Sequence, residues 1–139
     1  MDQNKLKHSL AVGNKMVEIG RKNNMSKEEQ EDLFILGFNH DVAYGTSDDV
    51  MYHGEIGGEM LKRNGYKYWR EVYYHGKPDC GFDSKFLTIL NMADMMIDKF
   101  GDDVGYERRL EDILSRRGED SVQYINCKKL IEILKNTKI

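Results

Sequence analysis

Residues 85–100 constrain the fold of this chain most, because apolar side chains would cover nearly every face of a helix drawn through them. Asp83 and Ser84 stand directly before the segment and are expected to cap the helix at its start. A helix that is apolar on all sides must lie at the centre of a domain, covered by other elements. Asp94 lies in the middle of this run, where an unpaired carboxylate is costly to bury. The segment therefore predicts a central helix that carries either a hydrogen-bonded structural aspartate or a functional one.

A second apolar run, at residues 33–38, ends in the pair His40 and Asp41. Ser26 and Glu29 have the spacing of a capping box and predict where the helix containing this run begins. An imidazole and a carboxylate at the end of a buried run need a partner, and a cation can pair with both. The run therefore predicts a helix that delivers two metal-binding side chains to the interior.

The remaining apolar residues also recur at helical spacing, and 13 glycines with a single proline fit helices separated by short breaks. We expect an all-α fold, a single compact bundle of six or seven helices over residues 1–139. Its site would lie within residues 5–100, and C-terminal packing helices would occupy residues 104–136. The expected helices are residues 5–22, the segment from the Ser26 cap to His40 and Asp41, a short helix from His53 that is closed by Asn64 and Gly65, and residues 68–75, 85–100, 106–117 and 121–135.

Three glycines, Gly54, Gly57 and Gly58, follow His53 in the short third helix. Each costs about 1 kcal/mol relative to alanine inside a helix, so helix propensity does not explain them. We expect them to allow the close approach of another helix or of a ligand.

The composition argues against several classes of function. With a net charge of −3, no strongly basic face for DNA or RNA is expected. No apolar run approaches the ~20 residues of a membrane span, and residues 1–5 lack the apolar segment of a signal peptide, so we expect a cytoplasmic protein that binds no membrane. Cys80 and Cys127 form no CxxC pair and predict neither a zinc finger nor a disulfide framework. Four arginines are interpreted as a solvated face rather than a phosphate site: Arg108, Arg109, Arg116 and Arg117.

All four histidines of the chain stand on an apolar helix or at its end. Together with two aspartates they form six candidate metal ligands: His8, His40, Asp41, His53, His75 and Asp94. Taken singly, each has an ordinary explanation such as a core or capping residue, but one shared site explains all of them together. Neutral imidazoles and carboxylates suit divalent iron, manganese, cobalt, nickel or zinc, and the lack of usable cysteines disfavours a structural zinc.

The order of His8, His40-Asp41 and Asp94 resembles the H…HD…D signature of the HD-domain metal-dependent phosphohydrolases. The likeness covers residues 5–100 and includes the neighbouring residues. Residues 34–44 resemble the family's apolar helix ending in HD, and residues 91–94 resemble its late alanine and aspartate pair. His53 and His75 resemble the two added ligands of the two-metal subgroup, H…HD…H…H…D. Within that subgroup the chain is similar to proteins related to the symmetrical dinucleoside-tetraphosphatase.

The resemblance implies the HD-domain fold and two divalent metal ions, iron first, with manganese, cobalt, nickel or zinc as alternatives. The implied ligands are His8, His40 and Asp94 for one ion and His53 and His75 for the other, with Asp41 as the bridge. Two ions can each bind a phosphate oxygen and lower the pKa of a water that then acts as the nucleophile. The implied activity is hydrolysis of a phosphoester or phosphoanhydride in a small phosphorylated substrate such as a nucleotide.

The chain departs from many two-metal relatives at Tyr44, three residues after Asp41, where they carry a lysine that can contact phosphate. We interpret Lys77, two residues past His75, as the substitute, which makes Asp41 and Lys77 the expected catalytic residues. Two alternatives stay open. One is a di-iron oxygenase of the HD type, which resembles this chain in the same six ligands, and the other is a non-catalytic nucleotide-binding or regulatory module. The sequence predicts no particular oligomeric state.

Overall fold

The computed structural model describes residues 3–42 and 53–139, and these residues fold into seven helices. The helices are α1 (Gln3–Lys22), α2 (Lys27–Asn39), α3 (His53–Arg63), α4 (Trp69–Tyr74), α5 (Lys85–Met96), α6 (Gly105–Arg117) and α7 (Val122–Lys135). Within these two ranges no strand forms, and the one β-type contact is an isolated bridge between Ile97 and Asp103. The predicted all-α bundle is confirmed. Among the described helices, none combines the length and the apolar character that a membrane crossing requires.

Helix α5 occupies the centre of the bundle, as its apolar pattern predicts. Its buried side chains contribute to two apolar clusters, one shared with α1, α2 and α4 and the other shared with α7. The Oγ of Ser84 accepts a hydrogen bond from the N–H of Leu87 and so caps the start of the helix. Eight of the twelve residues of α5 are buried, so most of its side chains lie among other helices.

The predicted end of α5 at Phe100 is wrong, because the helix ends at Met96. The apolar pattern continues through Ile97, but this residue is extended and pairs with Asp103 in the isolated bridge. Hydrophobic periodicity does not indicate where the helical hydrogen bonds end and a turn begins. Here the turn begins while the apolar pattern still continues.

Residues 97–104, which we call the α5–α6 loop, turn back toward α1. The carboxylate of Asp98 accepts from the N–H groups of Phe100 and Asp102, which stabilises the turn locally. Lys15 of α1 forms an ion pair with Asp103 at 2.7 Å and ties the loop to the first helix. The loop therefore lies against α1 instead of extending α5.

Helices α1 and α2 cross at two glycines. A Cβ atom at Gly37 would lie 2.6 Å from the Cα of Gly13, so a larger residue cannot be accommodated without movement of the backbone. The predicted capping box of α2 is present, since Ser26 Oγ accepts from Glu29 N–H and the Glu29 carboxylate accepts from Ser26 N–H. The crossing brings the C-terminal end of α2 beside the N-terminal half of α1.

Helices α3 and α4 form a second close pair. A Cβ atom at Gly58 would lie 2.5 Å from the Cβ of Tyr73, and one at Gly54 would lie 3.1 Å from Cε1 of His75. Close approach of α4 and the residue after it therefore accounts for Gly54 and Gly58, two of the three glycines for which close packing was predicted. Helix α3 ends at Arg63, and Gly65 follows with a φ of 75°.

Helices α6 and α7 complete the bundle at the C-terminal end of the chain. Leu130, Ile131 and Leu134 of α7 pack with Met92 and Met95 of α5 in the second apolar cluster. The side of α5 that does not face α1 and α2 is thus covered by α7.

Candidate metal centre

The six predicted ligand residues lie together, although they come from five separate segments of the chain. The ring centroid of His40 is 5.3 Å from that of His8 and 5.2 Å from that of His75, which is in turn 5.3 Å from that of His53. Nitrogen and carboxylate oxygen atoms lie within 4.8 Å of one another in three overlapping groups. The groups are His8, His40 and Asp41; His40, His75 and Asp94; and Asp41, His53 and His75.

Asp41 lies between two pairs of histidines, and each of its oxygens faces one pair. Oδ2 is 3.1 Å from Nε2 of His40 and 3.6 Å from Nε2 of His8. Oδ1 is 3.0 Å from Nε2 of His53 and 3.7 Å from Nε2 of His75. A carboxylate in this position can donate one oxygen to each of two neighbouring cations.

Asp94 lies closest to the pair His8 and His40, and it also shares a 4.8 Å group with His75. Its Oδ1 is 3.0 Å from Nε2 of His8 and 3.3 Å from Nε2 of His40. The helix α5 thus delivers a second carboxylate to the side of the cluster formed by α1 and α2. The carboxylate of Asp94 therefore approaches His8 and His40 most closely.

Three of the imidazoles are oriented by the backbone. Nδ1 of His8 lies 2.8 Å from the carbonyl oxygen of Asp98, Nδ1 of His40 lies 2.6 Å from that of Gly37, and Nδ1 of His75 lies 2.5 Å from that of Val72. A carbonyl oxygen can only accept, so each Nδ1 carries the proton and donates it. In a neutral imidazole the Nε2 atom then holds a lone pair, and all three lone pairs face carboxylate oxygens.

Lone pairs that face negative oxygens repel unless a positive charge lies between them. Nε2 of His40 is buried and has no hydrogen bond of adequate geometry within the described ranges, although two carboxylate oxygens lie within 3.3 Å of it. Either additional protons or a cation must compensate for this arrangement. Backbone-oriented imidazoles whose Nε2 atoms lie beside carboxylates are the arrangement that protein metal sites use, so this donor set fits a divalent metal ion.

In the metal-free protein these groups change one another's pKa. Burial lowers the pKa of His40, but the carboxylates of Asp41 and Asp94 outweigh burial and hold this pKa well above its ordinary value. Burial raises the pKa of Asp41, but the imidazole of His40, followed by that of His53, outweighs burial and holds this pKa well below normal. The pKa of Asp94 is likewise raised by burial and lowered well below normal by His40 and then His8. The site therefore strongly favours positive charge among its two carboxylates.

Among the described residues of the cluster, side-chain exposure differs from one residue to another. The side chain of His40 is fully buried, whereas that of His53 is 24% exposed and that of Asp41 15% exposed. Exposure thus increases from the α1 and α2 side toward α3.

Lys77, the predicted phosphate contact, lies in the segment after α4. Its ammonium group forms an ion pair with Glu55 of α3 and lies 5.0 Å from the centre of the Tyr73 ring. Both partners of the ion pair stand two residues after a histidine of the cluster, His53 or His75. Tyr44, the position at which many relatives carry a lysine, lies outside the described residues.

Two residues that the sequence analysis did not assign to the site contact it. The side-chain Oδ1 of buried Asn91 accepts from the N–H of Gly76 at 2.9 Å, directly after His75. Arg109 donates from Nε to the backbone carbonyl of Asp94 at 3.3 Å. The interpretation of Arg109 as part of a solvated face is wrong, because its side chain is only 12% exposed, whereas Arg108, Arg116 and Arg117 are exposed. The position of Arg109 on the inner face of α6 depends on tertiary packing, which a run of charges does not report.

Comparison with known proteins gives one family match. The family model described as HD domain matches residues 6–124 of this chain. This range includes all six residues of the cluster and most of the bundle. No curated protein and no solved structure matches the chain.

Proposed function

The chain belongs to the HD-domain family, and from this premise we propose that it is a metal-dependent phosphohydrolase with two divalent ions at the six-residue cluster. The finer proposal assigns His8, His40 and Asp94 to one ion. It assigns His53 and His75 to the other, with Asp41 as the bridge.

The observation that carries this proposal is the position of the Asp41 carboxylate. Its two oxygens face different pairs of histidines at distances of 3.0 to 3.7 Å. A single-ion site would not require a carboxylate between two pairs of imidazoles. We therefore favour two ions over one, with iron as the first expectation and manganese, cobalt, nickel or zinc as alternatives.

The residues of the chain would act by binding, orientation and charge. The bound ions would supply Lewis-acid chemistry, polarising a phosphoryl oxygen and lowering the pKa of the attacking water. Gly37, Val72 and Asp98 hold three imidazoles through their carbonyl oxygens, which keeps Nε2 of each free to bind. Asp41 would balance positive charge between the two halves of the cluster.

We further propose that the substrate is a small phosphorylated molecule, a nucleotide by preference, and that the protein acts in the cytoplasm. Lys77 would contact a phosphate group, since it lies in the segment that follows His75 and its side chain is 31% exposed. The half-buried rings of Tyr73 and Tyr74 directly precede His75 and pack edge to face with centroids 4.8 Å apart. Aromatic groups of the kind that stack on a base therefore lie in the same segment as His75 and Lys77. These features support a nucleotide over a simple phosphate ester.

The test combines metal analysis with a substrate screen. The purified protein is analysed for bound metal, stripped with a chelator, reloaded with manganese or cobalt under nitrogen, and assayed for phosphate release from nucleotides and other phosphate esters. We expect two ions per chain and hydrolysis of at least one nucleotide. His40→Ala and Asp41→Ala should lose both metal and turnover, whereas Asp79→Ala, an exposed acid away from the cluster, should keep both.

Three results would contradict the proposal. A protein that binds no divalent ion has no such centre. Turnover that requires O2 and a mixed-valence di-iron signal, without phosphate release, would identify the oxygenase alternative instead. Nucleotide binding without hydrolysis by the loaded protein would favour a regulatory module.

A further inference from the structure

Arg109 of α6 is a charged residue whose side chain the bundle covers for the most part. Its side chain is 12% exposed, whereas its neighbour Arg108 is exposed to solvent. A guanidinium group loses hydration when it is buried, so its contacts must replace part of that hydration. The contacts of Arg109 therefore indicate why it lies there.

The main contact of Arg109 is with a backbone group at the end of α5. Its Nε donates to the carbonyl oxygen of Asp94 at 3.3 Å. In a longer helix this carbonyl would accept from the N–H of Asp98, but that N–H donates to the carbonyl of Asp102. The Asp94 carbonyl is thus one of the unpaired acceptors of a helix end, and Arg109 supplies its donor.

The ion pair of Arg109 is secondary to this contact. Its Nη1 lies 3.8 Å from Oδ2 of Asp112, one turn further along α6. The same carboxylate oxygen accepts a closer hydrogen bond from Arg116, at 3.1 Å. Asp112 therefore already has a cationic partner, and pairing with Asp112 does not explain the burial of Arg109.

The capped residue also carries a side chain of the cluster. The carboxylate of Asp94 faces Nε2 of His8 and His40 from the last turn of α5. A helix end whose carbonyl groups lack donors frays readily, and fraying there would move this carboxylate. A positively charged side chain at the negative end of the helix dipole also opposes fraying.

We propose that Arg109 is a positioning residue for Asp94. By capping the last turn of α5, Arg109 holds the Asp94 carboxylate in place. This inference rests on the proposed metal centre, because it assumes that Asp94 binds an ion. Arg109 touches neither substrate nor metal in this account. Its effect is transmitted through the backbone of one residue, and it makes the α6 helix part of the support of the site.

The experiment compares R109M and R109K with R108M, a matched change at the exposed neighbouring arginine. Metal-free proteins are titrated with Co²⁺, and binding is followed by calorimetry and by the absorption spectrum of the bound ion. For R109M we expect about tenfold weaker binding of one ion, within the range for groups that orient ligands, and little change for the other. R109K should recover part of this loss, since its ammonium can donate to the same carbonyl, and R108M should bind as wild type does.

Two results would overturn the inference alone. The first is an R109M protein that binds two ions with wild-type affinity and spectrum. The second is an R109M protein that loses affinity equally at both metal sites and whose metal-free form melts at a lower temperature. Such a result would indicate a merely structural role for Arg109. If R109M does not fold, R109L replaces it with the same expected results, because leucine also lacks a donor. A wild-type protein that binds no Co²⁺ would instead overturn the proposed function, and this inference with it.

Discussion

Nδ1 of His8 lies 2.8 Å from the backbone carbonyl oxygen of Asp98, 90 residues further along the chain. The bond joins the first helix to the α5–α6 loop, in the segment where a continued helix was expected. Because the loop carries the acceptor, it orients the His8 imidazole toward Asp94 and Asp41. The local turn after α5 is therefore part of the support of the candidate metal centre.

The first prediction concerns Gly101, the residue at which the α5–α6 loop approaches the backbone of α1. It has a φ of 87°, and a Cβ atom there would lie 2.8 Å from the carbonyl oxygen of Lys7. Gly105 serves as the control, because it has a similar φ of 80° but a Cβ atom there would meet no atom of the described residues within 4 Å. We expect Gly105→Ala to lower the free energy of unfolding by roughly 1–2 kcal/mol through backbone strain alone. Gly101→Ala should lower it further and also weaken metal binding.

Denaturant unfolding and Co²⁺ titration of the two variants measure these effects. Equal loss of stability in both variants would contradict a role for the Lys7 contact. Unchanged Co²⁺ affinity in Gly101→Ala would show that the loop does not orient His8.

The second prediction separates two glycines of α3. A Cβ atom at Gly54 would lie 3.1 to 3.3 Å from the His75 ring and from the Val72 carbonyl that orients it. We expect Gly54→Ala to displace His75 slightly and to weaken metal binding on that side about tenfold. The loss of stability should be small, since alanine gains about 1 kcal/mol over glycine in a helix.

Gly58→Ala provides the contrast, because its Cβ would lie 2.7 Å from the Cα of Tyr73. The backbone of α4 must move to accept it, so we expect a clear fall in melting temperature. Thermal unfolding and metal titration of both variants check the distinction. The prediction fails if Gly54→Ala loses stability as Gly58→Ala does, or if it keeps wild-type metal affinity.

The third prediction concerns the pH dependence of the metal-free protein. The pKa of His40 is raised well above 6.5, so its contribution to stability is complete below about pH 6.5 and is lost as the pH rises through the raised pKa. The pKa values of Asp41 and Asp94 are lowered well below 3.8, so their contributions are present above that pH and are lost only in stronger acid. A metal ion bound as proposed would replace the proton on His40 and should remove the alkaline loss.

The prediction is tested by measuring the melting temperatures of chelator-treated and metal-loaded protein from acid pH to alkaline pH. We expect the difference between the two forms to widen with rising pH. His40→Asn, measured without metal, should lack the alkaline decline. A difference that stays constant with pH would contradict the expected exchange of proton for metal.

The fourth prediction concerns Lys77. If its ammonium contacts a substrate phosphate, Lys77→Met should raise the KM of the phosphorylated substrate roughly tenfold while leaving the metal content unchanged, because a charged hydrogen bond contributes about 1.5 kcal/mol or more. Lys67→Met is the matched control, since Lys67 also lies over an aromatic ring, that of Tyr68, at 5.2 Å. Steady-state kinetics and metal analysis of both variants decide the matter. Equal KM values for the two variants would show that Lys77 does not contact the substrate.

Local sequence patterns were sufficient to predict which segments form helices and which residues lie at the cluster. Apolar spacing, the Ser26 capping box and the Ser84 cap predicted the helices of the bundle, because these signals depend on neighbours within a few positions. The placement of every histidine on an apolar helix, with Asp41 and Asp94, indicated six side chains that the fold brings together. The glycines after His53 indicated close packing of α3 for the same local reason.

Tertiary structure decided how these side chains are oriented and supported. The end of α5 at Met96 depends on a turn that packs against α1, and the burial of Arg109 depends on where α6 meets α5. The division of the Asp41 oxygens between two pairs of histidines depends on the relative placement of five segments. Such relationships join residues far apart in the chain, and helical periodicity carries no information about them. Residue types therefore determined which chemistry this protein can support, and packing determined the geometry in which it is presented.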